Sequence, residues 1–208
     1  MSGKKGLILD RDGTLIDTCR DEETGTVFTA FHPKHLRLLP RVVEGLRLAI
    51  DHGYVLSIAT NQPAPAKGYA SAAAITKTND ALVAMLRERG VEIAAVECCF
   101  HHPEGGEGGD ASLVGPCACR KPLPGMLLTL MQKLSLDVGQ TWMVGDTATD
   151  VQAGLAAQVR TALVFPEGRC ELCPLRNGPK IQPDLHAPTL DALVAAIVAR
   201  DEGLAVRR

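Results

Sequence analysis

The stretch LILDRDGTLID, residues 7–17, decides how the rest of the chain is read. Three apolar residues, Leu7, Ile8 and Leu9, run directly into Asp10, Arg11 and Asp12, and then into Gly13 and Thr14. The first part reads as a buried strand. Ending such a strand in two carboxylates is costly in desolvation unless those charges are used there. Working outward, further apolar runs suited to strands lie at 54–59, 95–100, 141–144 and 161–165. Helical periodicity falls between most of them, at about 41–52, 71–89 with Ser71 as N-cap, 124–134, 148–157 and 189–200. Strands alternating with helices predict an α/β fold, a Rossmann-like doubly wound parallel sheet covered on both faces.

At 208 residues the chain suits one domain, 1–208, with enough length to bury a core. Apolar residues at 46% and charged ones at 22% are the balance of a soluble globular protein, and no apolar run approaches the roughly 20 residues of a membrane span. The basic start enters the first strand directly and leaves no room for a signal peptide, so a cytoplasmic location is expected. A net charge of −2 without a long basic run argues against nucleic acid and membrane as partners, while leaving small anions possible. Nothing calls for a partner protein, and a monomer is expected. The seven cysteines are an odd number, which in such a chain points to reduced thiols or metal ligands before disulfides.

In parallel sheets ligands bind beyond the carboxyl ends of the strands. Those positions hold Asp10 and Asp12 after the first strand, Thr60 and Asn61 after the second, and Gly145 and Asp146 after the strand near 141. Three acids at one sheet edge form a hard-oxygen site suited to Mg²⁺, which commonly brings a phosphate with it. One carboxylate could then attack phosphorus while another, two residues along, protonates the leaving oxygen. The bland alternative is that Asp10 and Asp12 cap a turn and Asp146 starts a helix, both ordinary places for Asp.

In order, DRDGT at 10–14, TN at 60–61, Lys121 and GDTATD at 145–150 resemble the four motifs of the haloacid dehalogenase (HAD) superfamily of phosphotransferases. The resemblance spans roughly residues 5 to 165 and implies a HAD fold. It makes Asp10 the nucleophile and Asp12 the general acid/base, with Lys121 and Thr60 steadying the phosphoryl group. Mg²⁺ would be ligated by Asp10, Asp146 and the backbone carbonyl of Asp12, with Asp150 in support. An aspartate at position 12 favours phosphate chemistry over carbon–halogen cleavage.

A second cluster concerns the cysteines. Cys99-Phe100-His101 and Cys117-Ala118-Cys119 give C-x-H, fifteen intervening residues, then C-x-C. Three thiolates and an imidazole are a common structural Zn²⁺ set. The intervening segment carries GGEGG and no evident apolar anchor, so a metal clip over about 99–119 would offset its ordering entropy. His102 is an alternative to His101, and buried thiols without metal are the bland reading. Cys98 should face the opposite side of the strand. Cys170 and Cys173 form a lone C-x-x-C and are read as ordinary residues.

This loop followed by Arg120-Lys121-Pro122 resembles the capless HAD branch that contains the D-glycero-D-manno-heptose 1,7-bisphosphate phosphatases and the histidinol-phosphatase domain. HHPEG at 101–105, CRKPLPGML at 119–127 and MVGDTATDVQAGLAA at 143–157 look more like the heptose members. That resemblance implies a phosphorylated sugar substrate, with Arg120 on the phosphate that is not cleaved; Asn61, with Thr60 and the lysine, is suited to the equatorial phosphoryl oxygens, and Gln62 is counted with the phosphate- or substrate-binding residues. Where many heptose members continue T-N-Q with Ser-Gly and Ala-Arg-Gly, this chain has Pro63-Ala64-Pro65-Ala66-Lys67-Gly68. Sugar contacts in that loop are therefore less determined than the chemistry. The segment 18–35 reads as a loop. Histidinol phosphate as substrate, transfer to an acceptor other than water, and a catalytically silent binding protein are the competing readings.

Overall fold

β1 (Lys4–Leu9) is buried over its last four residues, with alternate side chains entering different layers. Leu7 and Leu9 point to one face and Ile8 to the other, all fully buried. Each such side chain stabilises the fold by about 1.5–3 kcal/mol relative to exposure. Burial on both faces requires neighbours on both edges. These are β4 (Val55–Asn61) and β6 (Leu136–Gly145), each parallel to β1. The computed structural model describes residues 3–20, 23, 25–165 and 182–204.

The sheet has six parallel strands in the order β5-β4-β1-β6-β7-β8, completed by β5 (Ala95–Cys99), β7 (Arg160–Val164) and β8 (Leu185–Ala187). Helices α1 (Val42–Asp51), α2 (Ala72–Arg87) and α5 (Leu190–Asp201) contribute to one core layer, where Leu46, Leu82 and Leu193 pack with Leu7, Leu56 and Trp142. Across the sheet, α3 (Gly125–Leu134) and α4 (Ala148–Ala156) build the second layer on Ile8, Ala59 and Met143. The doubly wound expectation is met, and Ser71 caps α2 by accepting from the Ala74 amide. β6 starts five residues before the predicted strand, and β8 was not expected, being only three residues long. No helix among the described residues is long and apolar enough to cross a membrane.

Two segments differ from their reading as loops. The 18–35 segment contains a two-stranded antiparallel ribbon, β2 (Cys19–Arg20) with β3 (Val27–Phe28), and then a 3₁₀ turn at Pro33–His35. Two-residue strands are too short to show an alternating pattern. The glycine-rich segment near 105–109 lies against the backbone of residues 66–67 instead of looping free. A Cβ on Gly109 would come within 2.0 Å of the Ala66 carbonyl oxygen, and one on Gly106 within 2.7 Å of that of Lys67. These glycines permit contact between two backbones. Cys170 and Cys173 lie outside the described residues.

Candidate active site

The chain crosses from β5 back to β6 on the other side of β1, which places the topological switch at the carboxyl ends of β1 and β6. Asp10 follows β1 and Asp146 follows β6, so the crossover alone brings two acids together. Gly13, at φ 81°, turns the chain behind them, and a Cβ there would sit 2.1 Å from Asp146 Oδ2. The glycine is required by both backbone conformation and the room the carboxylate occupies.

Lys121 enters this cluster from the other side. Its Nζ donates to Asp10 Oδ1 at 2.6 Å and to the Ala59 carbonyl at 2.8 Å. It also lies 2.6 Å from Asp150 Oδ1, a contact too poorly aligned to count as a hydrogen bond but close enough for charge to hold it. Asn61 clamps the Lys121 backbone in both directions, donating to its carbonyl at 3.0 Å and accepting from its amide at 3.1 Å. Asp150 closes a capping box at the start of α4 by accepting from the Thr147 amide and hydroxyl. Asp150 is thus committed on both oxygens, whereas the buried Oδ1 of Asp146 has no partner.

Asp10, Asp146 and Asp150 bring carboxylate oxygens within 4.8 Å of one another. Against the single Lys121 ammonium they leave two negative charges in excess. Burial pushes the Asp10 carboxyl up to about 7, with Lys121 opposing and Asp150 and Asp12 adding to the rise. Burial pushes Asp146 up to about 8, reinforced by Asp10 and Asp150 and opposed by Lys121. For Lys121, burial favours loss of the proton, but the two carboxylates outweigh it and raise its pKa. An excess of hard oxygen charge with one orphaned carboxylate oxygen is the donor set a divalent cation fits.

Asp12 is held differently. Arg11, fully buried, donates from Nε to Asp12 Oδ2 at 3.0 Å and from Nη2 to Oδ1 at 3.1 Å. Gln62, also fully buried, donates to the same Oδ2 at 2.6 Å and to Thr60 Oγ1 at 2.8 Å. The Asp12 side chain therefore lies outside the three-acid cluster, leaving its carbonyl as the group to consider for metal.

A cavity of about 280 Å³ opens over these groups, lined by Asp10, Asp12, Asn61, Lys121, Asp146 and Asp150 together with Thr18, Thr29, Thr147 and Thr149. The four threonines were missed, and Thr18 and Thr29 had no local signal because the ribbon carries them there. Of the expected residues, Thr60, Gln62 and Arg120 are not on this lining. Thr60 is buried behind Gln62, and Arg120 Nη1 donates to the His101 carbonyl at 3.1 Å, along the edge of the cysteine loop. Beside the cavity and sharing Thr29 lies a second one of about 690 Å³, walled by Phe28, Phe31, Pro63, Lys67 and Tyr69.

The cysteine quartet assembles as the spacing suggested. Cys99 Sγ lies 3.8 Å from both Cys117 Sγ and His101 Nδ1, and Cys119 Sγ lies 3.0 Å from Cys99 Sγ and 3.5 Å from His101 Nδ1. Ligands at tetrahedral zinc distances stand roughly 3.5–3.8 Å apart; three of these separations match, and the closer Cys99–Cys119 pair needs only to spread for the set to fit a zinc ion. Burial and the neighbouring Cys119 raise the Cys99 thiol, as expected for crowded sulfur without a cation. His102 takes no part, since its Nδ1 accepts from the amides of Glu104 and Gly105. Cys98 is not in the quartet either.

The HAD-hydrolase-like family model matches residues 118–193. The D-glycero-beta-D-manno-heptose-1,7-bisphosphate 7-phosphatase of Yersinia pestis is 32% identical over 163 residues, 78% of this chain and 81% of that protein. A protein of the same name from Mesorhizobium japonicum is 32% identical over 197 residues, 92% of this chain and 81% of its own length. Among solved structures, the D,D-heptose 1,7-bisphosphate phosphatase from B. bronchiseptica, complexed with magnesium and phosphate, superposes with a TM-score of 0.74 at 26% identity. That match covers 94% of this chain and 99% of the other. Sheet order, motif order and relatives similar over most of their length agree that this chain belongs to the D-glycero-beta-D-manno-heptose-1,7-bisphosphate 7-phosphatase family of HAD-like hydrolases.

Proposed function

We propose that the protein is an Mg²⁺-dependent phosphatase that removes the 7-phosphate of D-glycero-D-manno-heptose 1,7-bisphosphate, in the synthesis of nucleotide-heptose for surface glycans. The observation that carries the chemistry is Asp10, held by Lys121 at 2.6 Å beside Asp146, whose buried Oδ1 has no partner. The choice of substrate comes from the relatives that bear the heptose name.

Asp10, Asp146 and the Asp12 carbonyl would hold the Mg²⁺, which offsets the excess negative charge and screens the substrate phosphate. Asp10 attacks phosphorus, the bond to the leaving oxygen breaks, and Asp12 gives that oxygen a proton. Water then attacks the aspartyl-phosphate, its proton passes to Asp12, and Asp10 is freed as phosphate leaves. Lys121 steadies the equatorial oxygens while charge redistributes. The larger cavity beside Thr29 offers room for the sugar, with Lys67 and Arg120 as candidates for the phosphate that stays. Zn²⁺ on Cys99, His101, Cys117 and Cys119 would pin the loop that ends at Lys121, a structural and not a chemical role.

The test is phosphate release with Mg²⁺ from the heptose bisphosphate and, side by side, from histidinol phosphate, using wild type and Asp10→Asn. Preference for the bisphosphate by orders of magnitude in kcat/KM, with a dead variant, is the expected result. Preference for histidinol phosphate would remove the substrate assignment, and activity surviving in Asp10→Asn would remove the aspartyl-phosphate.

A further inference from the structure

We infer that Arg11, held in place by Asn79, is the positioning residue for Asp12, and that it couples the proton-transfer group to the wall of the substrate cavity. The inference rests on the phosphatase reading above. Arg11 sits between the two aspartates of the opening motif, yet its side chain bonds Asp12, Asn79 and Ala30 and not Asp10. It turns away from the cavity and is fully buried.

Four of its five N–H donors are used. Two form the fork on Asp12, one reaches Asn79 Oδ1 at 2.7 Å, and one reaches the Ala30 carbonyl at 3.2 Å. Asn79 is itself buried, in the middle of α2. A buried guanidinium with this many fixed acceptors has little freedom to rotate, so the carboxylate on its fork is fixed as well. Gln62 adds a third donor to Asp12 from the opposite element, β4 and its exit. Asp12 is left with a side chain about 12% exposed, facing the cavity it lines.

A general acid acts only within hydrogen-bond reach of the leaving oxygen. Asp12 turns about two side-chain bonds, and without the fork its carboxyl would sample other rotamers. Ala30 ties that fork to the cavity wall. It follows Thr29, which lines both the catalytic and the larger cavity, so a leaving group seated against Thr29 bears on the same guanidinium that holds Asp12. The proton given to the leaving oxygen returns from the attacking water in the following step, and the cycle closes without another donor.

The discriminating measurement is dependence on the leaving group. An alkyl phosphate needs the proton from Asp12, whereas p-nitrophenyl phosphate, whose leaving group is a weak base, does not. kcat/KM reports the step that forms the aspartyl-phosphate. Asn79→Leu removes the acceptor from Arg11 without touching the cavity, and Asn79→Asp restores it. Arg11→Lys keeps the charge but loses the fork. With the heptose bisphosphate, Asn79→Leu and Arg11→Lys are expected to lower kcat/KM by about 10- to 100-fold, a partial loss against the roughly 100- to 10,000-fold that a general acid contributes. With p-nitrophenyl phosphate the same variants should stay within about threefold of wild type, and Asn79→Asp should recover most of the loss. Equal loss on both esters, or no loss on either, overturns the inference, because a merely structural role would not separate them. Wild type inactive on both esters with Mg²⁺ would overturn the phosphatase reading and this inference with it.

Discussion

Replacing Asp146 with Asn should make the metal-free protein more stable at alkaline pH while abolishing its response to Mg²⁺. In the unfolded chain an Asp titrates near 3.9. In the folded protein burial and the nearby Asp10 and Asp150 push Asp146 up to about 8, and burial pushes Asp10 up to about 7. Between about pH 4 and 8 the native state therefore binds more protons than the unfolded chain, so stability of the metal-free protein falls as pH rises through that window. Each pH unit contributes at most about 1.4 kcal/mol per group. Asp146 lies on the cavity wall, where water screens part of its charge, so on the order of 2 kcal/mol at pH 8 is a reasonable share. For a chain of this length that corresponds to a rise in Tm of roughly 4–8 °C for the variant. Thermal unfolding in chelator and in millimolar Mg²⁺, at pH 5 and pH 8, checks it. Wild type should gain stability from Mg²⁺ more at pH 8 than at pH 5, and Asp146→Asn should gain none. A variant less stable than wild type at pH 8 in chelator, or one that keeps the Mg²⁺ shift, would refute the charge argument.

Three further outcomes follow from particular contacts. Gly13→Ala puts a methyl 2.1 Å from Asp146 Oδ2 at a φ of 81°, and should destabilise by about 1–2 kcal/mol while lowering kcat/KM by about 100-fold or more, measured by urea unfolding and phosphate release. Cys119→Ser should reduce bound zinc, read by atomic absorption, from about one ion per chain to a small fraction and open the 99–119 segment to protease, with undiminished zinc refuting the quartet. Asp201→Ala, at the far edge of the sheet, strands Tyr54 Oη, Trp142 Nε1 and Arg160, and should cost about 2–4 kcal/mol in urea unfolding while kcat/KM of the folded fraction stays unchanged.

Much of this protein was legible before any tertiary information. Strand and helix periodicity depends on neighbours two to four positions apart, so the five α-helices among the described residues and the apolar strand cores could be read directly. The acids Asp10 and Asp146 were placed together because parallel strands deliver their carboxyl ends to one edge. The cysteine quartet was readable from spacing, since C-x-H and C-x-C are local patterns with a limited set of uses. What stayed hidden depends on residues far apart in the chain. Arg11 has no role that local patterns mark, because its acceptor Asn79 stands 68 positions away. Thr18 and Thr29 reach the cavity only because a ribbon too short for any sequence pattern folds across it. Nothing in the local pattern around Arg120 shows that its Nη1 donates to the His101 carbonyl along the edge of the cysteine loop. The sequence by itself determined the chemistry, because reactive groups must stand at strand ends that short-range patterns mark. Only the tertiary structure decided how Asp12 is held and what walls the cavity, because those depend on burial and long-range hydrogen bonds that local patterns do not encode.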